Sequence, residues 1–475
     1  MSHDPTAISN NPADDEPERL LFAAVADDDT GASDLAGMLG EQGLRTLLVL
    51  DLPNLDQFAQ WTRGYQAVVM AEGTRNLAPV AAYERTRAAV RLLQTRRPRL
   101  LQLKYCSTFD STPEGNIGAS IDAALDELGE DFTVAVPALP VNGRTTYQGY
   151  HFVRQQLLSD SSMREHPLTP MTNPNLVELL GQQTKRRVGL APYRVVREGA
   201  RDLKKHLDNL RAGGVHIALI DCLDDEHLEN ICRATDGLRL VTGSSAFGMK
   251  LPDIWRERGL LAEKSVLAEA SLPAEKSLPA ARVSGATVGV GCLIAAGSCS
   301  AATLRQNEWA AAQQGITLRR LHPQSLLDGE LDRDQIIAAA RVELGAGRHY
   351  LLTTSGAADE VRGVQEWAAA AKGMSVPALG EALAYALAEL VLEIVNTQTV
   401  GGLIVAGGET SGAVCRRLEL GAMQVGLNIE PGVPLLFSLG RFQLPLVLKS
   451  GNFGSPDFYG KAIEAAARAR DYLNF

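Results

Sequence analysis

Apolar runs of strand length at residues 21–26, 46–51, 67–71 and 100–104 alternate with longer amphipathic stretches, the first of them at 32–42. Runs apolar on both faces, separated by helix-length segments, predict strands of a mostly parallel sheet covered on both sides. Further strands are predicted at 132–136 and 216–221. Between 261 and 282 the pattern breaks into AEKSVLAEASLPAEKSLPAAR, where SLPA occurs at Ser271 and again at Ser277, the composition of a linker. Alternation then restarts with strands at 288–295, 317–321, 350–354, 403–406 and 446–449, a helix from Ala301 and a long helix at 379–396. The expected fold class is α/β, with two doubly wound domains of mostly parallel sheets. The expected boundaries are a disordered tail at 1–19, a first domain at 20–262, a linker at 263–283 and a second domain at 284–475.

Composition narrows this picture. A length of 475 residues fits two or three domains, and 45% hydrophobic with 21% charged residues is ordinary globular usage. Residues 283–304 carry no charge and match a membrane span in length, but Gly, Ala, Ser and Thr dominate them, which reads as strand, loop and helix start. Lys and Arg number 46 against 56 Asp and Glu, a net charge of −10. That balance disfavours nucleic acid as a partner, and anions must be held by local clusters. Six cysteines without a CxxC pair read as reduced thiols. A polar, acidic first 19 residues lacks the apolar core of a signal peptide, so a cytoplasmic protein with no membrane partner is expected. Homo-oligomerisation is left open.

Candidate chemistry sits at strand ends. ADDDTGASD, from Ala26 to Asp34, places Asp27 and Asp28 where a strand meets a helix, the position at which open α/β sheets bind ligands. Carboxylates there can accept a proton, bind sugar hydroxyls or hold a metal, whereas a helix cap would account for only one of them. KYCSTFDSTPEGNIG, from Lys104 to Gly118, packs a cation, hydroxyls and Asp110 into one loop, which suits a polyhydroxylated anion or a polar turn. Three small-residue loops follow strands of the second half: Gly297–Ser300, Gly407–Gly412 and Ser450–Gly454. Their backbone N–H groups could cradle phosphates. No P-loop, dinucleotide fingerprint, HExxH or GxSxG motif occurs, and no metal ligand set is legible.

Taken with PVNGRTTYQGYHFV from Pro140 and HPLTPMTNPNL from His166, the motifs ADDDTGASD, KYCSTFDSTPEGNIG, GSCSAAT, AGGETSGAV and LKSGNFG run in the order seen in the four-carbon acid sugar kinases. From about Leu20 onward the chain resembles that family, and within it the 3-oxo-tetronate 4-kinases most. The resemblance implies a sugar-acid-binding N-terminal domain, a nucleotide-binding C-terminal domain, and transfer of the γ-phosphoryl of ATP, with Mg²⁺, to the 4-hydroxyl of 3-oxo-tetronate. D-Threonate or D-erythronate is the alternative acceptor; a noncatalytic sugar-acid sensor and an α/β dehydrogenase are the alternatives from other classes. Family nucleotide positions fall on Ser298, Gly407, Gly408, Glu409, Thr410 and Gly451. Asp28 is the first choice for the group that orients or deprotonates the acceptor hydroxyl, followed by Asp27 and Asp110. Thr30, Gly31, Arg75, Lys104, Ser107, Thr108 and Arg144 are the substrate-binding candidates. Two positions depart from the family pattern: Asp29 stands where an aromatic residue is usual, and Gly73 where a lysine is frequent.

Overall fold

A computed structural model describes residues 20–165, 169–262 and 290–473. The expected tail at 1–19, the linker at 263–283, His166 of the HPLTPMTNPNL motif and the first two residues of the strand expected at 288–295 lie outside them. In chain order the strands are β1 (Phe22–Ala26), β2 (Thr46–Leu50), β3 (Ala67–Ala71), β4 (Leu100–Lys104), β5 (Thr133–Val136), β6 (Arg144–Tyr147), β7 (Tyr150–Val153), β8 (Gln156–Leu157), β9 (Val188–Ala191), β10 (Ile217–Ile220) and β11 (Leu240–Gly243) in the first half. The second half contributes β12 (Leu293–Ala296), β13 (Ile316–Arg320), β14 (His349–Thr353), β15 (Leu403–Ala406), β16 (Ala422–Glu430), β17 (Val433–Ser438) and β18 (Pro445–Lys449). Sequences such as FAAVA in β1 and AVVMA in β3 are buried at every position, as strands covered by helices on both faces must be.

The α/β class is as expected, and the two wound halves share a single sheet. Its 15 strands run in the order β13-β14-β12-β15-β18-β17-β16-β2-β3-β1-β4-β11-β5-β10-β9. The junction is antiparallel: Val49, Leu48 and Leu47 of β2 lie opposite Ala422, Met423 and Gln424 of β16. β16 also pairs antiparallel with β17, with register shifts at Val425/Asn428 and Asn428/Glu430. Bulges of this kind increase local twist, and each strand pair adds roughly 20–25° more. A small antiparallel sheet, β6-β7-β8, whose first two strands come from the PVNGRTTYQGYHFV motif, stands apart.

Register decides where loops emerge. Ala26 of β1 lies level with Ala71 of β3 and Lys104 of β4, so the three following loops leave the sheet together. In the second half Ala296, Ala406, Lys449, Thr353 and Arg320 end β12, β15, β18, β14 and β13 level in the same way. The first helix starts at Asp29 rather than the expected Ala32, because Asp28 is its N-cap and accepts the Gly31 N–H at 2.8 Å. The long helix is Val376–Thr397, with Ser375 as cap and a proline in its first turn, where no N–H is required. Among the described residues no helix is long and apolar enough to cross a membrane.

Candidate active site

Three loops of the first half converge on Arg75. Its guanidinium forms a fork on Asp27, with Nε 2.8 Å from Oδ2 and Nη2 3.0 Å from Oδ1; it also reaches Asp28 at 2.9 Å and Asp110 at 4.0 Å. The loop that carries Arg75 is pinned by Asn116, whose side-chain amide donates to the carbonyls of Thr74, Arg75 and Leu77. Asp28 is both cap and charge partner: its Oδ2 accepts the Thr30 hydroxyl at 2.9 Å. Burial alone would raise its pKa, yet Arg75 and Lys104 outweigh that and hold it below the ordinary carboxylate value. For Asp27 burial wins, and its pKa lies above the ordinary value despite Arg75. Lys104 is buried; its ammonium donates to the Tyr105 carbonyl at 3.1 Å and feels the carboxylates of Asp27, Asp28 and Asp34.

The loop after β4 is locked in shape. Cys106 Sγ lies 2.9 Å from the Thr108 hydroxyl, which donates to Asp110 at 2.5 Å. Phe109 is buried with φ of +55°, a left-handed conformation that costs a bulky residue of order 1 kcal/mol, and its edge-to-face contact with Tyr105 at 5.5 Å helps hold it. The small sheet braces this loop from outside through His151. Nε2 of that buried ring lies 2.8 Å from the Ser107 carbonyl and Nδ1 3.0 Å from the Thr146 hydroxyl. Burial lowers its pKa to about 4, so the ring is neutral, donating from Nε2 and accepting at Nδ1. Arg144, on the same small sheet, donates to the Asn142 carbonyl and leaves Nε buried without a partner.

Beside these loops Glu72 is fully buried; Arg85 reaches its Oε2 at 3.1 Å and its Oε1 has no partner. Burial raises its pKa from 4.5 to about 7. The folded chain therefore binds a proton that the unfolded chain has lost, and stability falls as pH rises from about 4.5 through 7. Glu72→Gln removes that penalty. Urea denaturation should show the variant gaining on wild type between pH 5 and pH 8 by up to roughly 3 kcal/mol, whereas parallel stability curves would refute the shift.

In the second half the ends of β12, β13, β14 and β15 open into a cavity of about 900 Å³, within the usual size of a ligand site. One wall is polar backbone and hydroxyl from Gly297, Ser298 and Gly407–Thr410, and the other is apolar, from Val376, Pro377, Leu379 and Leu383. Gly407 has φ of +125°, and a Cβ there would stand 3.2 Å from the Ser298 N, so the loop closes only with glycine. Gly451 backs onto Ser298: a Cβ there would collide with its hydroxyl, and the Gly451 carbonyl accepts from Ser300 at 2.5 Å and from Thr303 at 3.0 Å. Glu409 lines the cavity beside Gly408, its pKa raised by burial and by Glu381. The two halves meet at this edge. A Cβ on Gly408 would sit 3.8 Å from Thr30 Cγ2, and Asp29 lies 3.5 Å from Arg416.

Family comparisons agree with this division of labour. A sugar-binding N-terminal domain matches residues 22–251, and a nucleotide-binding C-terminal domain matches residues 293–459. The 3-oxo-tetronate kinase of Pseudomonas savastanoi pv. phaseolicola is 38% identical over 451 residues, covering 95% of this chain and 98% of the relative. The chain belongs to the four-carbon acid sugar kinases. A second relative, the 3-oxo-tetronate kinase of Pseudomonas fluorescens, is 39% identical over 446 residues, covering 94% and 97%. Solved structures from Haemophilus influenzae and Salmonella typhimurium LT2 superpose on this kinase with TM-scores of 0.72 and 0.75, each at 33% identity over 93% of this chain and 98% of theirs.

The structure brings Asp27, Asp28, Thr30, Gly31, Arg75, Lys104, Ser107, Thr108 and Asp110 into one region, and Arg144 stands on the small sheet near His151, which touches the Ser107 carbonyl. It brings Ser298, Gly407, Gly408, Glu409, Thr410 and Gly451 into another. Four contributors escaped the sequence reading. His151 lies inside the PVNGRTTYQGYHFV motif, where nothing in the sequence distinguishes it from an isolated histidine. Asn116 was hidden within the KYCSTFDSTPEGNIG loop. Arg320 and Thr354 line the cavity, and the TTSG run at Thr353–Gly356 was the available signal, a small hydroxyl-rich loop directly after a strand.

Proposed function

We propose that the chain phosphorylates the 4-hydroxyl of 3-oxo-tetronate with ATP, giving 3-oxo-tetronate 4-phosphate in the cytoplasm during breakdown of four-carbon sugar acids. The observation that carries this reading is the close approach of Thr30 to the first turn of the helix Gly408–Arg417. It sets a phosphate-cradling helix N-terminus against the hydroxyl that donates to Asp28. The relatives' names supply the acceptor.

Phosphoryl transfer needs positioning and charge neutralisation more than covalent help. The apolar wall suits a purine, and the backbone at Ser298 and Gly407–Thr410 suits the phosphates. Mg²⁺ enters with ATP as part of the co-substrate, and Glu360 and Glu409 are cavity-lining carboxylates that fit a cation carried on the phosphates. Asp28, ionised and oriented by Thr30, Gly31 and Arg75, accepts the acceptor hydroxyl's hydrogen bond and takes its proton as the bond to phosphorus forms. A carboxylate held below its usual pKa is a weak base, which suffices where the attacking oxygen bears little charge until late.

The acid's own carboxylate needs a cation. Arg75 and Lys104 are already surrounded by Asp27, Asp28 and Asp34, whereas Arg144 forms no ion pair among the described residues. Arg144 is accordingly the better candidate to bind it, ahead of Lys104. Arg144→Met should raise KM for the acid roughly 10- to 100-fold with kcat changed far less, and an unchanged KM would return the role to Lys104. Incubation with ATP and a panel of four-carbon acids, following ADP release and product by NMR, tests the function itself. Turnover with D-threonate or D-erythronate but not 3-oxo-tetronate would overturn the acceptor, and no turnover with any acid would overturn the kinase reading.

A further inference from the structure

Lysines are rarely buried without a carboxylate beside them, because an unpaired buried ammonium is costly. Lys449, the last residue of β18, is such a residue. It is 0% exposed, and among the described residues no carboxylate forms an ion pair with it. Its three donors are fully used on neutral oxygens: the Ser450 carbonyl at 3.0 Å, the Gly451 carbonyl at 3.2 Å and the Thr303 hydroxyl at 3.2 Å. Its own carbonyl accepts the N–H of Gly407 at 2.8 Å. Its side chain thus ties the Ser450–Gly454 loop to the helix Ala301–Ala311, while its backbone holds the turn that opens the helix Gly408–Arg417. Gly407–Thr410 line the polar side of the cavity, and Gly451, which Lys449 holds, packs directly against Ser298, which lines it too.

We propose that Lys449 is a positioning residue for the nucleotide: it clamps the Ser450–Gly451 backbone behind Ser298 and leaves beneath the phosphate loops a positive charge that the phosphates themselves compensate. This goes beyond the proposed function and rests on its placement of ATP in this cavity. The sequence pattern lacks a P-loop lysine, and Lys449 supplies a cation from behind the loop instead of in front of it. It does not touch the phosphates; it acts through Gly451 and through its field.

Burial brings the lysine's pKa down to about 8, with Glu430 opposing the drop. Glu430, on β16, is itself held by Lys461 at 2.7 Å and by the Ser455 N–H and hydroxyl. The other groups facing the ammonium, Thr303 and the two carbonyls, do not titrate in this range. Phosphates favour the charged form, so nucleotide binding takes up a proton above pH 8 and affinity declines there by as much as tenfold per pH unit.

The test is calorimetry of the full chain with Mg²⁺ and a non-hydrolysable ATP analogue from pH 6.5 to 9.5, on wild type, Lys449→Arg and Lys449→Met, with thermal melts as a folding control. Wild type should bind well below pH 8 and progressively less tightly above it. Lys449→Arg, charged throughout, should keep binding with a flat profile, and Lys449→Met should bind roughly 10- to 100-fold more weakly at pH 7. If the methionine variant does not fold, wild type against arginine still decides. Identical pH profiles for those two would overturn the role of Lys449 while leaving the nucleotide site standing. Absence of binding by wild type at every pH would overturn the nucleotide reading and this proposal with it.

Discussion

Asp28→Asn is expected to lower kcat by roughly 10²- to 10⁴-fold at neutral pH while the melting temperature changes little. The two readouts separate because Asp28 is an N-cap and, in the proposed reaction, also the proton acceptor. As the N-cap of the helix Asp29–Glu41 it accepts the Gly31 N–H, and an asparagine carbonyl does this nearly as well, at a cost of about 1 kcal/mol or less. As the carboxylate that accepts the Thr30 hydroxyl, beside Gly408, it must in the proposed reaction accept a hydrogen bond and then a proton, which an amide cannot take. Steady-state kinetics at saturating ATP, with thermal melts on the same preparation, distinguish the roles. Near-normal kcat in a well-folded variant would move the function to Asp27 or Asp110.

Arg75→Met is expected to cost about 3–5 kcal/mol of stability at pH 7 and to abolish measurable turnover. Asp27 and Asp110 are well buried and Asp28 partly so, and the guanidinium is the cation all three share. In wild type the depressed pKa of Asp28 contributes stability above the unfolded value near 3.8, and that contribution is lost as pH falls. Without Arg75 Asp28 loses the largest influence that lowers it and Asp27, already raised by burial, is pushed further up, so the variant loses stability as pH rises from about 4 to 7. Chemical denaturation of both proteins at pH 4.5 and pH 7 should therefore show a deficit that widens with pH. A deficit independent of pH would mean that the methionine perturbs packing rather than charge. Lys at this position should recover only part of the loss, because an ammonium cannot reproduce the fork that Nε and Nη2 make on Asp27.

How much of this was legible beforehand depends on the range of the interaction. The strands β1 to β4, β15 and β18 were readable because a strand buried on both faces is apolar at every position, a property of a few consecutive residues. Small-residue loops after those strands marked the proposed substrate and nucleotide regions for the same reason. β16 and β17 were not readable. Their register shifts and their pairing with β2 are decided by partners hundreds of residues away, and the one-sheet architecture follows from that single antiparallel junction.

The aspartates at 27 and 28 are equivalent in the sequence, and only packing separates them: the same Arg75 stands beside both, but Thr30, Gly31 and Lys104 tip Asp28 below its ordinary pKa while burial carries Asp27 above it. His151 and Lys449 show the limit most plainly. Each is an unremarkable letter whose role consists of contacts with chain segments distant in sequence or folded back on it, Ser107 for one and Thr303 for the other. Local pattern determined which loops stand at the strand ends and are proposed to carry the chemistry, because strand ends and small residues are written in neighbouring positions. Which groups within those loops are charged, neutral or pinned was decided only by the tertiary structure, because burial and charge pairing are properties of three-dimensional surroundings.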